Sequence, residues 1–440
     1  MSTELTTDRR VASRLLSRQL KEEGRLDLWL ADATATLSSE EARRVRALVY
    51  GINRQRSFLA SHLSPYLKRP LLDQSPIIQV ALLLGAYEIL FQDGVPDRAA
   101  VSQAVQLVRE VDGAGRTGLI NAILRRMSRK EIEPKLPTRD FEPVAWAEYV
   151  ASHPRWIARR MAGWAGKAGA ADWAEANNER PPLWIRRSSK DGLLPEDCEE
   201  SALVRGAFRV RPPAGCRVDQ LRGFAEGDWW VQDLAAQAVA ALLAAQPGER
   251  ILDACAAPGG KSFSAAVDVG VEGTVLAMDR SSNRLESVRK SAQRLGMTQI
   301  TCEQRDLLAS AWDGPTFDAV LLDAPCSGLG VIRRHPEIRW TREAVDLKRQ
   351  AARQKTLMSC LASAVRPGGR LVYAVCSFSK EETTEVVDSF LEDSPSFRKV
   401  PAETVAPGLD SSLFEEGVLR TYPHRHDADA FFGAVLERVS

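Results

Sequence analysis

From about Arg250 onward the chain repeats one pattern, a short apolar run, a polar or glycine turn and an amphipathic stretch. The runs read "RILDACAAPGG", "TVLAMDR", "ITCEQRD", "FDAVLLDAP" and "GRLVYAVCS". Runs apolar throughout suit strands buried on both faces, and parallel strands need a helical crossover between them. The alternation therefore predicts a doubly wound parallel α/β sheet over 236–440. Before residue 135 the apolar residues recur at helical spacing instead, as in "EEARRVRALVYGINRQRSFLASHL", "SPIIQVALLLGAYEILF" and "GLINAILRRMSRK". Residues 1–140 are expected to form an all-α domain, with Ser75 and Pro76 capping its most apolar, central helix. The proline-punctuated "EPKLPTRDFEP" leads into a small α+β segment, 141–235, with one helix and short strands at "PPLWIRRSS" and "GAFRVRPP".

With 440 residues, 44% hydrophobic and 27% charged, the composition fits a soluble chain of two or three domains. No window has the 18 or so uncharged apolar residues of a membrane span, and the start has no apolar signal core. No membrane association is expected, and a cytoplasmic place is. The seven cysteines form no CxxC pair and no metal-ligand spacing, so free thiols and no metal site are expected. Charge is mildly asymmetric, with 22 Lys+Arg against 17 Asp+Glu in residues 1–140 and 37 against 41 in the rest. This excludes a sequence-blind basic nucleic-acid binder. Clusters such as "ILRRMSRK" and "VIRRHPEIRW" still suit a phosphate backbone locally, against the alternative of a solvated helix face.

In parallel sheets ligands bind outside the carboxyl ends of the strands, and the informative residues fall there. The first run leads into Cys255, Ala256, Ala257, Pro258, Gly259, Gly260 and Lys261, whose paired glycines let the backbone approach a ligand before a helix begins near Ser262. Nineteen residues after Gly260 the second run ends at Asp279, followed by Arg280, where an acidic residue receives the ribose hydroxyls of a nucleoside cofactor. Asp306 ends the third run and suits an adenine edge. A phosphate-binding P-loop is the rival, because "CAAPGGKS" ends in GK[ST]. That loop requires glycine where Cys255 stands, and it has no place for Pro258 among amides that must donate to phosphate.

The motifs "DACAAPGGKS", "MDR", "RDL", "LLDAPCSGLGVIRRHPEIRW" and "GGRLVYAVCSFSKEE", in this order, resemble those of the RNA 5-methylcytosine methyltransferases that use S-adenosylmethionine. The helical segments "VYGINRQRSFLASHL", "LLLGAYEILF" and "GLINAILRRM" resemble the domain shared with the antitermination factor NusB. The combination is similar to the bacterial RsmB (Fmu/Sun) family, which methylates a cytosine of small-subunit ribosomal RNA. The resemblance implies an all-α NusB-like domain, a small α+β segment and a Rossmann-like methyltransferase domain. It further implies S-adenosylmethionine as cofactor and 16S ribosomal RNA, naked or in an early assembly intermediate, as partner of a monomer.

Carbon 5 of cytosine is a poor nucleophile, so such enzymes add a thiolate at carbon 6 first, and a second group later helps remove the carbon 5 proton. By resemblance Cys376 is the nucleophile and Cys326 assists release. Asp323 matches the carboxylate that holds the cytosine N3 and N4 edge and adjoins the cofactor, and Lys261 matches a lysine of the same site. Arg333, Arg334 and His335 follow the Pro-Cys loop and are expected to grip phosphates, with a structural salt bridge as the alternative. Cys198, Cys216, Cys302 and Cys360 are expected to be packing residues. The chain departs from the family at Val375, Trp184, Arg186 and Ala430. Transfer RNA as substrate, or a noncatalytic RNA-binding assembly factor, are the other readings. The assembly factor would be marked by a missing nucleophile, and both cysteines are present.

Overall fold

A computed structural model describes residues 4–22, 24–213, 215–309 and 312–439. Its contacts divide the chain into Met1–Glu179 with Arg334–Arg342, and Arg180–Arg333 with Glu343–Ser440.

The first unit is helical: α1 (Thr7–Gln19), α2 (Leu26–Thr34), α3 (Ser39–Leu63), α4 (Pro76–Phe91), α5 (Asp97–Asp112), α6 (Thr117–Ser128), α7 (Pro143–Tyr149) and α8 (Arg155–Ala176). The spacing predicted six of these, α2 and α7 not among them, and α4 is the central one. Every residue from Ile78 to Ala86 on it is buried, so it has no solvent face, and α1, α3, α5 and α6 pack around it. Ser75 stands at its N-cap, but the Ser75 side chain does not cap. Its hydroxyl instead accepts from Arg116 Nη1 at 2.9 Å. A capping box of Ser38 and Glu41 starts α3.

Residues 334–342 belong to this unit although they lie far along the chain. Arg339 is fully buried there. Its guanidinium donates to the carbonyls of Arg54, Ala151, Ser152 and Asn177 and to Asn178 Oδ1, at 2.7 to 3.3 Å. Carbonyl dipoles alone compensate the charge, and burial drives the Arg339 pKa well down.

The second unit holds two sheets. The smaller comprises β1 (Leu183–Arg187), β2 (Cys198–Glu200), β3 (Ala207–Val210) and β4 (Trp229–Val231) in the antiparallel order β2-β3-β1-β4. The expected 141–235 segment is thus divided, its helices falling in the first unit and its strands in the second. The physical reason is packing: Trp184 and Trp230 of this sheet join the same buried cluster as Leu234, Phe263 and Val372.

After α9 (Leu234–Ala241) come β5 (Arg250–Asp253), α10 (Gly260–Val269), β6 (Thr274–Asp279), α11 (Ser282–Arg294), β7 (Ile300–Gln304) and β8 (Phe317–Asp323). The excursion into the first unit carries α12 (Ile338–Thr341). Then follow α13 (Ala344–Leu361), β9 (Val365–Val375), α14 (Thr384–Asp393), β10 (Phe397–Val400), β11 (Phe414–Glu415), β12 (Val418–Arg420) and β13 (Phe432–Arg438). The five expected strands β7, β6, β5, β8 and β9 are parallel. The whole sheet is mixed, because β13 runs antiparallel to β9 and carries β10 and β12 on it. Helix α10 starts at Gly260, earlier than expected, and β7 ends two residues before Asp306. Among the described residues no helix is long and apolar enough to cross a membrane.

Candidate active site

Strands β8 and β9 are parallel neighbours, with Asp323 opposite Ala374. The residues just beyond their carboxyl ends therefore emerge side by side. Cys326 Sγ and Cys376 Sγ lie 3.1 Å apart, as free thiols. Two backbone ties hold the loops: Ala324 N–H donates to Ala374 O at 2.8 Å and Gly330 N–H to Cys376 O at 2.9 Å. Ala430 N–H in turn donates to Gly330 O at 2.9 Å, and a Cβ on residue 330 would stand 1.8 Å from Ala430 O. Only glycine permits that approach. The hydrogen bond with Cys376, then burial and the Cys376 and Glu382 charges, push the Cys326 thiol well up. Cys326 rests as a neutral thiol.

Glu382 was not singled out in the sequence, yet it organises both loops. It is fully buried. Its Oε1 accepts from Ser327 N–H at 2.7 Å and Gln354 Nε2 at 3.2 Å, and its Oε2 from the hydroxyls of Ser327 and Ser377 at 2.5 and 2.6 Å. Ser327 and Ser377 directly follow the two cysteines. One carboxylate thus fixes the residue after each thiol, and charge-assisted bonds of this kind are the strong ones. The sequence signal available for it was the glutamate pair in "CSFSKEE".

Lys261 Nζ donates to Asp323 Oδ2 at 2.7 Å and sits 5.2 Å from the Phe431 ring centroid. Burial opposes the Lys261 charge, but Asp323, assisted by Asp253 and Cys376, outweighs it and holds the pKa above its ordinary value. A cation and a carboxylate thus stand at the same strand ends as the cysteines. Beneath them Asp253 is buried at the end of β5, accepting from Ser262 Oγ at 2.7 Å, and burial raises its carboxyl to about 6. Asp253 Oδ1 has no hydrogen-bond partner.

The cofactor residues expected from the sequence converge at the neighbouring strand ends. Gly259 has φ of 108°, and a Cβ there would meet the Phe263 ring at 2.5 Å, so the turn into α10 needs glycine. Cys255, Asp279, Arg280 and Asp306 line one small cavity of about 50 Å³ with Ala254 and Arg284. Asp279 is buried; its Oδ1 accepts from Ser281 N–H at 2.9 Å and its Oδ2 pairs with Arg284 Nη1 at 3.0 Å. Arg284 also donates to Ala257 O and so spans the cavity. Burial pushes the Cys255 thiol up to about 12, which leaves its sulfur inert and its backbone the useful part. The orphaned Asp253 oxygen, the glycine turn and the buried Asp279 carboxylate suit a nucleoside cofactor with donor groups.

Other expectations are corrected. Arg333 is buried, pairs with Asp427 Oδ1 at 2.6 Å and donates to Arg180 O at 3.1 Å, so it is an internal ion pair and offers no exposed grip on phosphate. Arg334 and His335 are half-buried, and His335 Nδ1 lies 3.4 Å from Glu337 Oε1. Cys198, Cys216, Cys302 and Cys360 are half-buried, and Cys198 and Cys302 pack against apolar clusters as expected. Trp184 is buried with its indole N–H 3.3 Å from Asp427 O, and Arg186 Nη1 donates to Arg205 O at 2.8 Å, so both departures serve internal packing. Val375 is fully buried, and the Ala430 departure contributes the backbone that meets Gly330. Among the described residues no cluster of His, Cys, Asp or Glu could hold a metal ion.

With this geometry in view, comparison with known proteins is direct. The family model "16S rRNA methyltransferase RsmB/F" matches residues 240–437, and the NusB family model matches 6–129. The chain is 34% identical over 409 residues to a ribosomal RNA small subunit methyltransferase B of Vibrio cholerae, covering 90% of this chain and 89% of that protein. It is 33% identical to a probable ribosomal RNA small subunit methyltransferase B of Synechocystis, covering 92% of each. Among solved structures, PH0851 superposes with a TM-score of 0.77 at 25% identity, covering 99% of this chain and all of the other. A methyltransferase homolog protein of Pyrococcus horikoshii does so with a TM-score of 0.55 at 25% identity, over 66% of this chain and 97% of the other. A buried strand-end acid, a glycine turn and paired thiols on a methyltransferase sheet, in a chain that begins with a NusB-type helical region and is matched over nine-tenths of its length, show that the chain belongs to the ribosomal RNA small subunit methyltransferase B family of S-adenosylmethionine-dependent enzymes.

Proposed function

We propose that this ribosomal RNA methyltransferase forms 5-methylcytosine in 16S ribosomal RNA through a covalent bond between Cys376 and carbon 6 of the base. The observation that carries the reading is the 3.1 Å approach of Cys326 Sγ to Cys376 Sγ beside the 2.7 Å Lys261–Asp323 pair. S-adenosylmethionine supplies an electrophilic methyl group, and the backbone of Cys255 to Gly260, together with Asp279, Arg280 and Asp306, would hold it.

The chain's own groups do the rest. Asp323 accepts from the N4 and protonated N3 edge of the cytosine, a hydrogen bond to the charged form that orients the ring. Lys261 holds Asp323 in place through their 2.7 Å contact. Cys376, as thiolate, adds to carbon 6, and the electron pair displaced onto carbon 5 makes that atom nucleophilic. After methylation Cys376 is a neutral thioether that no longer holds the Cys326 proton in place, so Cys326 gives that proton to solvent and as thiolate takes the one on carbon 5, and the electrons left behind expel the Cys376 thiolate from carbon 6. Cys326 suits the second half because its raised pKa keeps it protonated, and so non-competing, when the adduct forms. Arg334 and His335 remain the residues of the Pro-Cys loop proposed to meet phosphate. The same reading has the chain act as a cytoplasmic monomer.

Bisulfite sequencing of 16S ribosomal RNA from cells with and without the gene tests this. One protected cytosine that disappears on deletion and returns with the wild-type gene but not with Cys376→Ala is expected. An unchanged pattern in ribosomal RNA, or a lost site in transfer RNA, overturns it.

A further inference from the structure

We propose that a groove within the helical unit binds the phosphate backbone of a single strand of ribosomal RNA, with Arg56 as its anchor. The inference rests on the ribosomal RNA reading above and assigns a second contact for that substrate. The groove has a volume of about 1040 Å³. Arg56 on α3, Lys68 and Arg69 in the turns after it, Lys135 in the proline-rich linker, Tyr149 at the end of α7 and Trp340 all line it.

Its charge is unbalanced. The lining carries these four cations and one acid, Glu142. Several other arginines of the unit are neutralised: Arg9 by Glu88 at 2.6 Å, Arg126 by Glu131 at 2.8 Å, Arg139 by Glu175 at 2.9 Å. Among the described residues no carboxylate pairs with Arg56, Lys68, Arg69 or Lys135 within 4.0 Å. Arg56 is half-buried, with its guanidinium 5.3 Å from the Trp340 ring centroid. Burial lowers its pKa, and no neighbouring acid opposes that shift. A desolvated cation with no anion is costly unless a ligand supplies one, and guanidinium on phosphate is the geometry that does so best.

The Trp340 ring is held for this task, since its indole N–H donates to Asn53 O at 2.7 Å and one ring face takes Arg56. Apolar surface lies beside the cations. Leu72 is 71% exposed and Tyr149 40% exposed, both lining the groove. Cations tracking a backbone, with aromatic and apolar faces open to bases, suit an unpaired strand better than a duplex, whose bases are already stacked.

The test uses the full-length protein and an in vitro transcript of 16S ribosomal RNA. Lys68, Arg69 and Lys135 are exposed, so K68A/R69A/K135A leaves the fold and the S-adenosylmethionine affinity intact. RNA binding should weaken about tenfold or more, and the slope of log K against log salt should fall by about 2, since each phosphate contact to a single strand contributes about 0.7. Arg56→Ala should weaken binding likewise, and Arg56→Lys should restore part of it. An affinity and salt slope within about twofold of wild type, in a wild-type background that binds and methylates the transcript, overturns the groove alone. A wild-type protein whose groove-dependent RNA binding is seen but which never methylates the transcript overturns the functional reading and leaves the groove standing. Loss of binding to a ribosomal protein, with naked RNA binding unchanged, makes the groove a protein site and overturns the proposal.

Discussion

Cys326 Sγ lies 3.1 Å from Cys376 Sγ although 50 residues separate them, and the two thiols are not equivalent. The Cys326 thiol is pushed well up, while Cys376 lies directly at the end of β9. Cys376→Ser should abolish methylation and leave no covalent protein–RNA species, because a hydroxyl is a far weaker nucleophile. Cys326→Ala should still add and transfer the methyl, then fail to eliminate, so that a methylated adduct survives denaturing electrophoresis. The reverse pattern would exchange the two roles, and full activity in both variants would sink the cysteine mechanism.

The same proximity makes the pair oxidisable. Treatment with diamide, which accepts two electrons and two protons, should join Cys326 and Cys376 in a disulfide, seen as a two-hydrogen mass loss on the peptide pair. Activity should fall in parallel and return with dithiothreitol. Loss of adduct formation that proceeds equally in Cys326→Ala would show that another thiol is the target.

Glu382 is expected to position both cysteines without touching the base. Glu382→Ala orphans Ser327 N–H and the hydroxyls of Ser327 and Ser377, and should cost about 2 to 4 kcal/mol of stability. Per folded molecule it should also lower kcat about 10- to 100-fold while leaving the S-adenosylmethionine KM unchanged, with Glu382→Gln between the two. A kcat per folded molecule equal to wild type would reduce Glu382 to a stability role.

Arg284 and the cofactor ribose are expected to compete for Asp279. Asp279→Ala should weaken S-adenosylmethionine binding by about 1 to 3 kcal/mol, through loss of a buried charged acceptor. Arg284→Ala should leave Asp279 free and tighten binding, since the spanning side chain no longer has to move. Calorimetry showing weaker binding in Arg284→Ala would make Arg284 a cofactor contact instead.

Asp253 gives the fold a pH dependence of known sign. Its folded pKa, about 6, exceeds the ordinary value of 3.8 because burial disfavours the charge. The folded chain therefore keeps a proton that the unfolded chain has lost. That contribution to stability is complete below about pH 4 and is lost as pH rises through about 6. Asp253→Asn should remain neutral and still accept from Ser262, so it should stabilise the apoprotein by about 2 to 3 kcal/mol at pH 8 and by little at pH 4. Urea unfolding at the two pH values measures this; an equal effect at both would show that Asp253 does not titrate in the fold.

What the sequence by itself determined was local. Apolar runs such as "FDAVLLDAP" and "GRLVYAVCS" read as buried strands because they alternate with amphipathic stretches, helical spacing over 39–63 and 76–91 marks helices that bury one face or all of them, and a paired glycine before Lys261 marks a tight turn into a helix. Cysteines just past two such strands were therefore visible at strand ends. Strand order was not: that β8 and β9 are neighbours, so that the thiols meet, depends on pairings across the sheet that no periodicity reports. Glu382 escaped notice because its partners lie up to 55 residues away and its burial is a tertiary fact. The cluster "VIRRHPEIRW" read as a basic patch, and only the folded chain shows Arg333 paired with Asp427 and Arg339 buried among carbonyls up to 285 residues distant. A charge in a sequence has no sign of whether phosphate, carboxylate or backbone dipoles will compensate it; three-dimensional packing chooses the partner, because only there is the energy of desolvating the charge decided.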